Sequence, residues 1–166
     1  KVFAKTHHLL LIDKFTTHIW KPLLHEVAAG TLNAEDAALN YRSFATDHHF
    51  QFCLGTLESL DRTHKTLTLG ALNDDSGIEM IPRRLIHYEV LVLAIGSVSH
   101  DFGTPGVRDY CLQLDNRVDA DYFQQSLLKN FMRVDYQRRQ GNGVVKCFTI
   151  SVVGGGATGV ELVAEM

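Results

Sequence analysis

The run Ser151-Val152-Val153-Gly154-Gly155-Gly156-Ala157-Thr158-Gly159-Val160 constrains the fold of this chain more than any other stretch. Gly154, Gly156 and Gly159 make the pattern G-x-G-x-x-G. In it the first glycine permits a tight turn, the second lets a pyrophosphate approach the backbone, and the third lets a helix pack close on a strand. Ahead of the glycines, residues 144–153 are β-branched and apolar enough for a buried parallel strand; behind them, Val160 to Met166 continues as a helix start. Such a helix aims free N–H groups and the positive end of its dipole at one point. The expected occupant is the pyrophosphate of a dinucleotide.

The same pattern calls for a carboxylate about 20 residues beyond the glycines, at the end of the next strand, to hold a ribose hydroxyl. The sequence reaches Met166 before that. Near the other terminus, His8-Leu9-Leu10-Leu11-Ile12-Asp13 reads as a buried strand closing on an acid. Glycines without their acid at one end, and an acid without its glycines at the other, lead to the expectation of an interior segment that spans parts of two successive dinucleotide folds. Taken locally, Asp13 is equally a turn-capping aspartate.

Composition excludes more than it assigns. A hydrophobic content of 45% with 21% charged residues is that of an ordinary globular protein, and a formal net charge of -3 gives no electrostatic case for nucleic acid. Cys53, Cys111 and Cys147 are odd in number and widely spaced, which argues against a disulfide framework or a zinc site and favours a reducing compartment. No apolar run approaches the roughly 18 residues of a spanning helix.

Between the termini, Pro22 and Gly30 frame a short helix over Leu23 to Ala29, and Asn33 is placed to cap a second helix from Ala34 to about His48. Phe50 to Leu54, Lys65 to Leu69 and Ile78 to Leu85 read as short strands, with turns at Asp61 to His64 and Asn73 to Gly77. Together they predict a small antiparallel meander inserted as a crossover. Tyr88 to Ala94 reads as another buried parallel strand, ending at Gly96; Phe102 to Val107 is a loop; Asp115 to about Gln140 has helical apolar period. Gly141-Asn142-Gly143 then turns the chain into the terminal strand. The fold class expected is α/β.

Three stretches, "HIWKPLLHEVAAGTLNAEDAALNYR", "YEVLVLAIGSVSHDFGTPGV" and "VVGGGATGVELVAEM", occur in this order. They resemble type II NADH dehydrogenases, single-subunit NADH:quinone oxidoreductases of the two-dinucleotide-domain flavoproteins. The resemblance implies a truncated Rossmann-type FAD-binding fold over 1–143, carrying the antiparallel β-meander, and over 144–166 the first strand and helix start of a second Rossmann-type fold that binds NADH. It implies FAD and NADH as cofactors, a quinone as electron acceptor, and peripheral association with the cytoplasmic side of the inner membrane. By resemblance, Asp13 matches the acid on the FAD ribose, with Lys14 beside it. Trp20, Lys21 and Pro22 match the segment passing the flavin ring. Leu57 matches the position whose backbone meets the adenine, and Ala94, Ile95 and Gly96 match the turn lying against FAD. Gly154, Gly156 and Gly159 match the NADH pyrophosphate turn, and Glu161 matches a catalytic glutamate placed near the nicotinamide.

Plainer readings stand beside these. Glu161 is also the kind of acid the helix dipole favours in a first turn, and Lys21 is also a solvated charge near a helix start. His25-Glu26 begins a zinc-protease-like H-E-x-x-H, but position 29 is alanine, which favours a helix-face pair. His7-His8 and His48-His49 read as exposed histidines. Related flavoproteins of the sulfide:quinone or ferredoxin reductase type are the competing enzymes, the former needing paired cysteines at the flavin; a non-catalytic NADH sensor is the competing binding protein.

Overall fold

A computed structural model describes residues 7–140 and 148–166. Cys147, the turn at Gly141-Asn142-Gly143, the first residues of the expected terminal strand and the expected domain boundary between 143 and 144 lie outside the described residues. The chain divides into two compact units: one joins the stretch up to His18 with Leu39–Ile95, and the other joins Ile19–Ala38 with Gly96–Met166.

The first unit carries the strands. β1 (Leu10–Asp13) pairs in parallel with β4 (Gln51–Leu54), from Leu10 opposite Gln51 to Asp13 opposite Leu54. A parallel pair needs a crossover, and α3 (Tyr41–His48) leads directly into β4. Phe50 to Leu54 was expected in the meander; it is instead the partner of β1, because an apolar strand pairs with whichever neighbour the crossover brings alongside. The single helix expected over Ala34 to His48 is likewise interrupted. α2 (Ala34–Ala37) starts at Asn33, whose side chain accepts from the Glu35 amide, but Leu39–Asn40 forms β3, antiparallel to β2 (Thr17–His18). Asn40 then caps α3 by accepting from the Arg42 and Ser43 amides. A short polar side chain that competes for backbone amides favours a cap over a helix interior.

The antiparallel part consists of β5 (Leu57–Asp61), β6 (Thr66–Leu69) and β9 (Arg84–His87) in that spatial order, with the small hairpin of β7 (Leu72–Asn73) and β8 (Glu79–Ile81) between β6 and β9 in sequence. The strand expected over Ile78 to Leu85 divides at Pro82, which has no amide to give to a ladder. Both predicted turns form. Asp61 Oδ1 accepts from the Thr63 and His64 amides, and Asp74 Oδ1 from those of Ser76 and Ile78, with Gly77 at φ 83° closing the second. Leu67 and Leu69 are buried beneath the sheet. Tyr88 to Ala94, expected as a buried parallel strand, has no strand partner among the described residues, and Val90 and Val92 are 84% and 80% exposed. Its composition favours extended backbone, but pairing is what makes a strand.

The second unit is helical. A 3-10 turn (Lys21–Leu23) with Pro22 in its first turn runs into α1 (Leu24–Ala29), which ends at Gly30 in the left-handed region, φ 86°. α4 (Val107–Tyr110) follows the predicted loop, α5 spans Arg117–Arg139 and α6 spans Ala157–Glu165. Leu24, Val27 and Ala28 of α1, Ala120 of α5 and Leu162 of α6 share one buried cluster with Ile19 and Ala34. Burying a leucine or valine there contributes about 1.5–3 kcal/mol each, and the alanines let the helix backbones approach. Phe148 to Val153 alternates half-buried and exposed residues, as extended backbone on one apolar face does, but no strand forms there among the described residues.

Candidate dinucleotide-binding residues

Gly154 has φ +115°, a conformation that side chains rarely adopt. A Cβ built on Gly159 would lie 2.5 Å from the Gly154 carbonyl oxygen, so the third glycine is dictated by the helix lying on its own turn. A Cβ on Gly154, Gly155 or Gly156 would meet nothing within 4 Å. The turn is therefore closed toward α6 at Gly159 and has open space at Gly154 to Gly156. Gly156 caps α6 without a side-chain hydrogen bond, and the first turn carries no acid. The Val160 amide bonds the Gly156 carbonyl at 3.1 Å, and the amides ahead of it precede the helix's own ladder. Open backbone, unopposed amides and no nearby first-turn carboxylate fit the pyrophosphate of a dinucleotide.

α6 is anchored to α1 and to the residues that follow it. Leu162 enters the buried cluster, and the Thr31 hydroxyl donates to Glu165 Oε2 at 2.9 Å. Glu161, a turn into the helix and half exposed, has Oε2 at 3.4 Å from Nδ1 of His25. The other ring nitrogen of His25 lies 3.9 Å from Glu26 Oε1, so the helix-face pair read from the sequence is present with a second carboxylate added.

In the strand-bearing unit, the parallel register sets the end of β1 beside the Leu54-Gly55-Thr56-Leu57 segment, where the Gly55 amide bonds the Asp13 carbonyl at 2.9 Å. Asp13 and Leu57 are thus brought to one end of the parallel pair. Asp13 Oδ1 accepts from the Phe15 amide at 2.9 Å, the turn-capping role, while Oδ2 accepts from the Tyr41 hydroxyl at 3.1 Å. Each oxygen keeps a second lone pair, so a ribose diol has acceptors at this strand end. Tyr41 is stacked near Phe52 and His18, and its phenol is pushed up to about 12 by burial first, then by the charge and hydrogen bond of Asp13. Sequence reasoning missed Tyr41 by placing it inside a long helix; the asparagine before it was the available signal. Lys14 is exposed, its ammonium 5.0 Å from the Phe15 ring centre. Ala94 lies in the exposed segment after Tyr88.

In the helical unit, Lys21 is not simply a solvated charge. Its ammonium donates to the Ser97 carbonyl at 2.9 Å and to Asp115 Oδ1 at 3.1 Å, which ties the 3-10 turn to the residues just after Gly96. Asp115 also accepts from the Ser99 amide and hydroxyl. Burial pushes the Asp115 carboxyl up, but the Ser99 amide and the Lys21 ammonium together hold it below the usual carboxylate range. Gly96 has φ +71° with open space where a Cβ would stand, Pro22 lies in the 3-10 turn, and Trp20 at its start is 65% exposed. Asp115 and Ser99 belong to no motif and could not be found from the sequence. Among the described residues no group of three or more His, Cys, Asp or Glu could hold a metal ion, and no helix is long and apolar enough to cross a membrane.

The family model for pyridine nucleotide-disulphide oxidoreductases matches residues 2–166. The chain is 38% identical to the type II NADH:quinone oxidoreductase of Haemophilus influenzae over 98% of its own length and 39% of that protein's. It is 26% identical to the Staphylococcus saprophyticus protein of the same name, over 100% of its length and 38% of that protein's. It therefore spans well under half of the curated relatives it matches. Among solved structures, NDH2 of Plasmodium falciparum in complex with NADH superposes at a TM-score of 0.72 with 21% identity, covering 98% of this chain and 32% of that one. The sulfide:quinone oxidoreductase of Aquifex aeolicus gives 0.60 with 22% identity, covering 75% and 26%. These two likenesses are of fold: mixed α/β.

Proposed function

The chain belongs to the pyridine nucleotide-disulphide oxidoreductase family, and on that premise we propose that it serves in an NADH:quinone oxidoreductase of type II. The reading extends the names of its relatives to this chain. What carries it on this chain is the glycine turn, open at Gly154 to Gly156 and closed at Gly159. In this reading residues 1–143 belong to a Rossmann-type FAD-binding fold with an inserted meander, and 144–166 open a second fold for NADH. FAD, when bound, would take hydride equivalents from NADH and pass electrons to the quinone.

The residues of this chain have separable roles in that reaction. Gly154, Gly156 and Gly159 receive the NADH pyrophosphate on backbone amides. Glu161, one turn into α6, accepts a hydrogen bond from the nicotinamide carboxamide and so orients the ring. Asp13 holds the FAD ribose, with Lys14 beside it, and the Leu57 backbone meets the adenine. Trp20, Lys21 and Pro22 run past the flavin, and Ala94 and Gly96 form the turn against it; the Lys21 bonds to Ser97 and Asp115 support that role by fixing the segment. Peripheral attachment to the cytoplasmic side of the inner membrane completes the proposal.

The test is steady-state NADH oxidation by the protein at its full natural length, with a soluble quinone, alongside rapid-mixing measurement of flavin reduction. Quinone-dependent turnover with bound FAD is the expected result, and Glu161→Gln slows flavin reduction while leaving FAD bound. NADH binding without turnover would replace the enzyme with a sensor.

A further inference from the structure

We infer that His25 is a positioning residue for Glu161, holding that carboxylate one turn into the helix that the glycines open. The inference rests on the NADH-binding reading of the turn. His25 lies on α1 with its side chain 12% exposed, whereas Glu161 on α6 is 47% exposed. A half-exposed glutamate on a helix surface samples several rotamers, and fixing one of them has an entropic cost that a binding site must meet. The imidazole is placed to meet it. Its Nδ1 lies 3.4 Å from Glu161 Oε2, its ring is confined by burial, and Glu26 Oε1 lies 3.9 Å from Nε2.

The backbone under this pair is fixed independently of it. Leu162, next to Glu161, is buried in the cluster that includes Leu24 and Val27 of α1, and the Thr31 hydroxyl binds Glu165 one turn further along α6. His25 and Glu161 therefore face each other across helices held together at Leu162, the next residue, and beyond it at Glu165. The other helix packed on α1 is α5, which brings Ala120 and Phe123 to the same cluster; its first cation, Arg117, is held by Glu35 and Asp121. Carboxylates are thus the charges placed on the imidazole by the described ion pairs. A neutral imidazole has one N–H to give, and a protonated one has two, so an N–H on Nδ1 directs Glu161 toward α1 in either state that carries it.

The experiment uses the protein at its full natural length with imidazole nitrogens labelled for NMR. In Glu161→Gln the Nδ1 signal of His25 should move while Nε2, facing Glu26, moves less; in Glu26→Gln the order reverses. NADH affinity, measured by calorimetry, should fall about twofold or more in His25→Leu, which removes both ring nitrogens, and His25→Gln, which keeps an N–H, should restore most of it. Combining His25→Leu with Glu161→Gln should add no further loss beyond Glu161→Gln alone. An Nδ1 signal unmoved by Glu161→Gln, or losses that multiply in the double variant, overturns the assignment. If no variant or parent binds NADH, the proposed function falls, and the Nδ1 signal alone decides whether His25 holds Glu161.

Discussion

The Lys21 ammonium lies 3.1 Å from the Asp115 carboxylate across 94 residues of sequence, and Asp115 in turn takes the Ser99 amide. The pair fastens the 3-10 turn to the loop that follows Gly96. The Asp115 side chain is 10% exposed and that of Lys21 is 45% exposed, so the acid is the partner that suffers when the pair is broken.

Asp115→Asn should destabilise the protein by about 1–3 kcal/mol, since it replaces a charge-assisted acceptor of several donors. The effect has a pH signature. The carboxyl is held below its usual value of 3.8, so its contribution is present above that value and is lost as pH falls below it. Thermal unfolding of the parent and the variant should differ most near neutrality and converge in acid; a gap independent of pH would mean that Asp115 acts by packing.

Tyr41→Phe should cost about 1.5–3 kcal/mol, the range for a hydrogen bond to a charged group. Because the folded phenol is raised from 10.0 to about 12, the stabilisation is fully present below 10 and is lost as pH rises through 12. Ultraviolet titration should show one tyrosine ionising late in the parent and none in the variant, and urea unfolding gives the cost.

The glycines of the turn separate binding from folding. Gly156→Val has space for its side chain and an ordinary backbone, φ -74°, so stability should change little while NADH binding weakens about tenfold or more through blocked approach of the pyrophosphate. Gly159→Ala meets the Gly154 carbonyl at 2.5 Å and should destabilise the turn by about 1–3 kcal/mol. Calorimetric binding and thermal unfolding of both variants check the contrast. Equal stability losses would contradict it.

Residues 1–166 on their own should self-associate. Val90, Val92, Ile95 and Val98 are 84%, 80%, 83% and 79% exposed in a stretch with no strand partner among the described residues, apolar surface that invites association between copies. Light scattering on a sizing column should show species larger than a monomer, reduced by Val92→Lys. A monomer over a range of concentrations would count against this.

The features that the sequence determined by itself are those whose physics closes within a few residues. Gly30 ends a helix because its φ of 86° is free to glycine, Asn33 caps one because its side chain reaches the Glu35 amide, and Asp74 with Gly77 makes a turn by the same local bonding. The open and closed sides of the Gly154–Gly159 turn follow from steric rules that the pattern already encodes. Tertiary structure decided the rest. Whether Phe52 belongs to a meander or lies beside Leu11, and whether Val90 and Val92 sit in a strand, depends on a partner that composition does not name. Tyr41 meets Asp13, Lys21 meets Asp115 and His25 meets Glu161 only because packed elements bring distant residues within hydrogen-bonding or ion-pair range. A residue's own preference sets its backbone and its rotamers; which group it touches is fixed by packing, for His25 and Glu161 by the burial of Leu24, Val27, Ala120 and Leu162, and that burial is a property of the assembled chain.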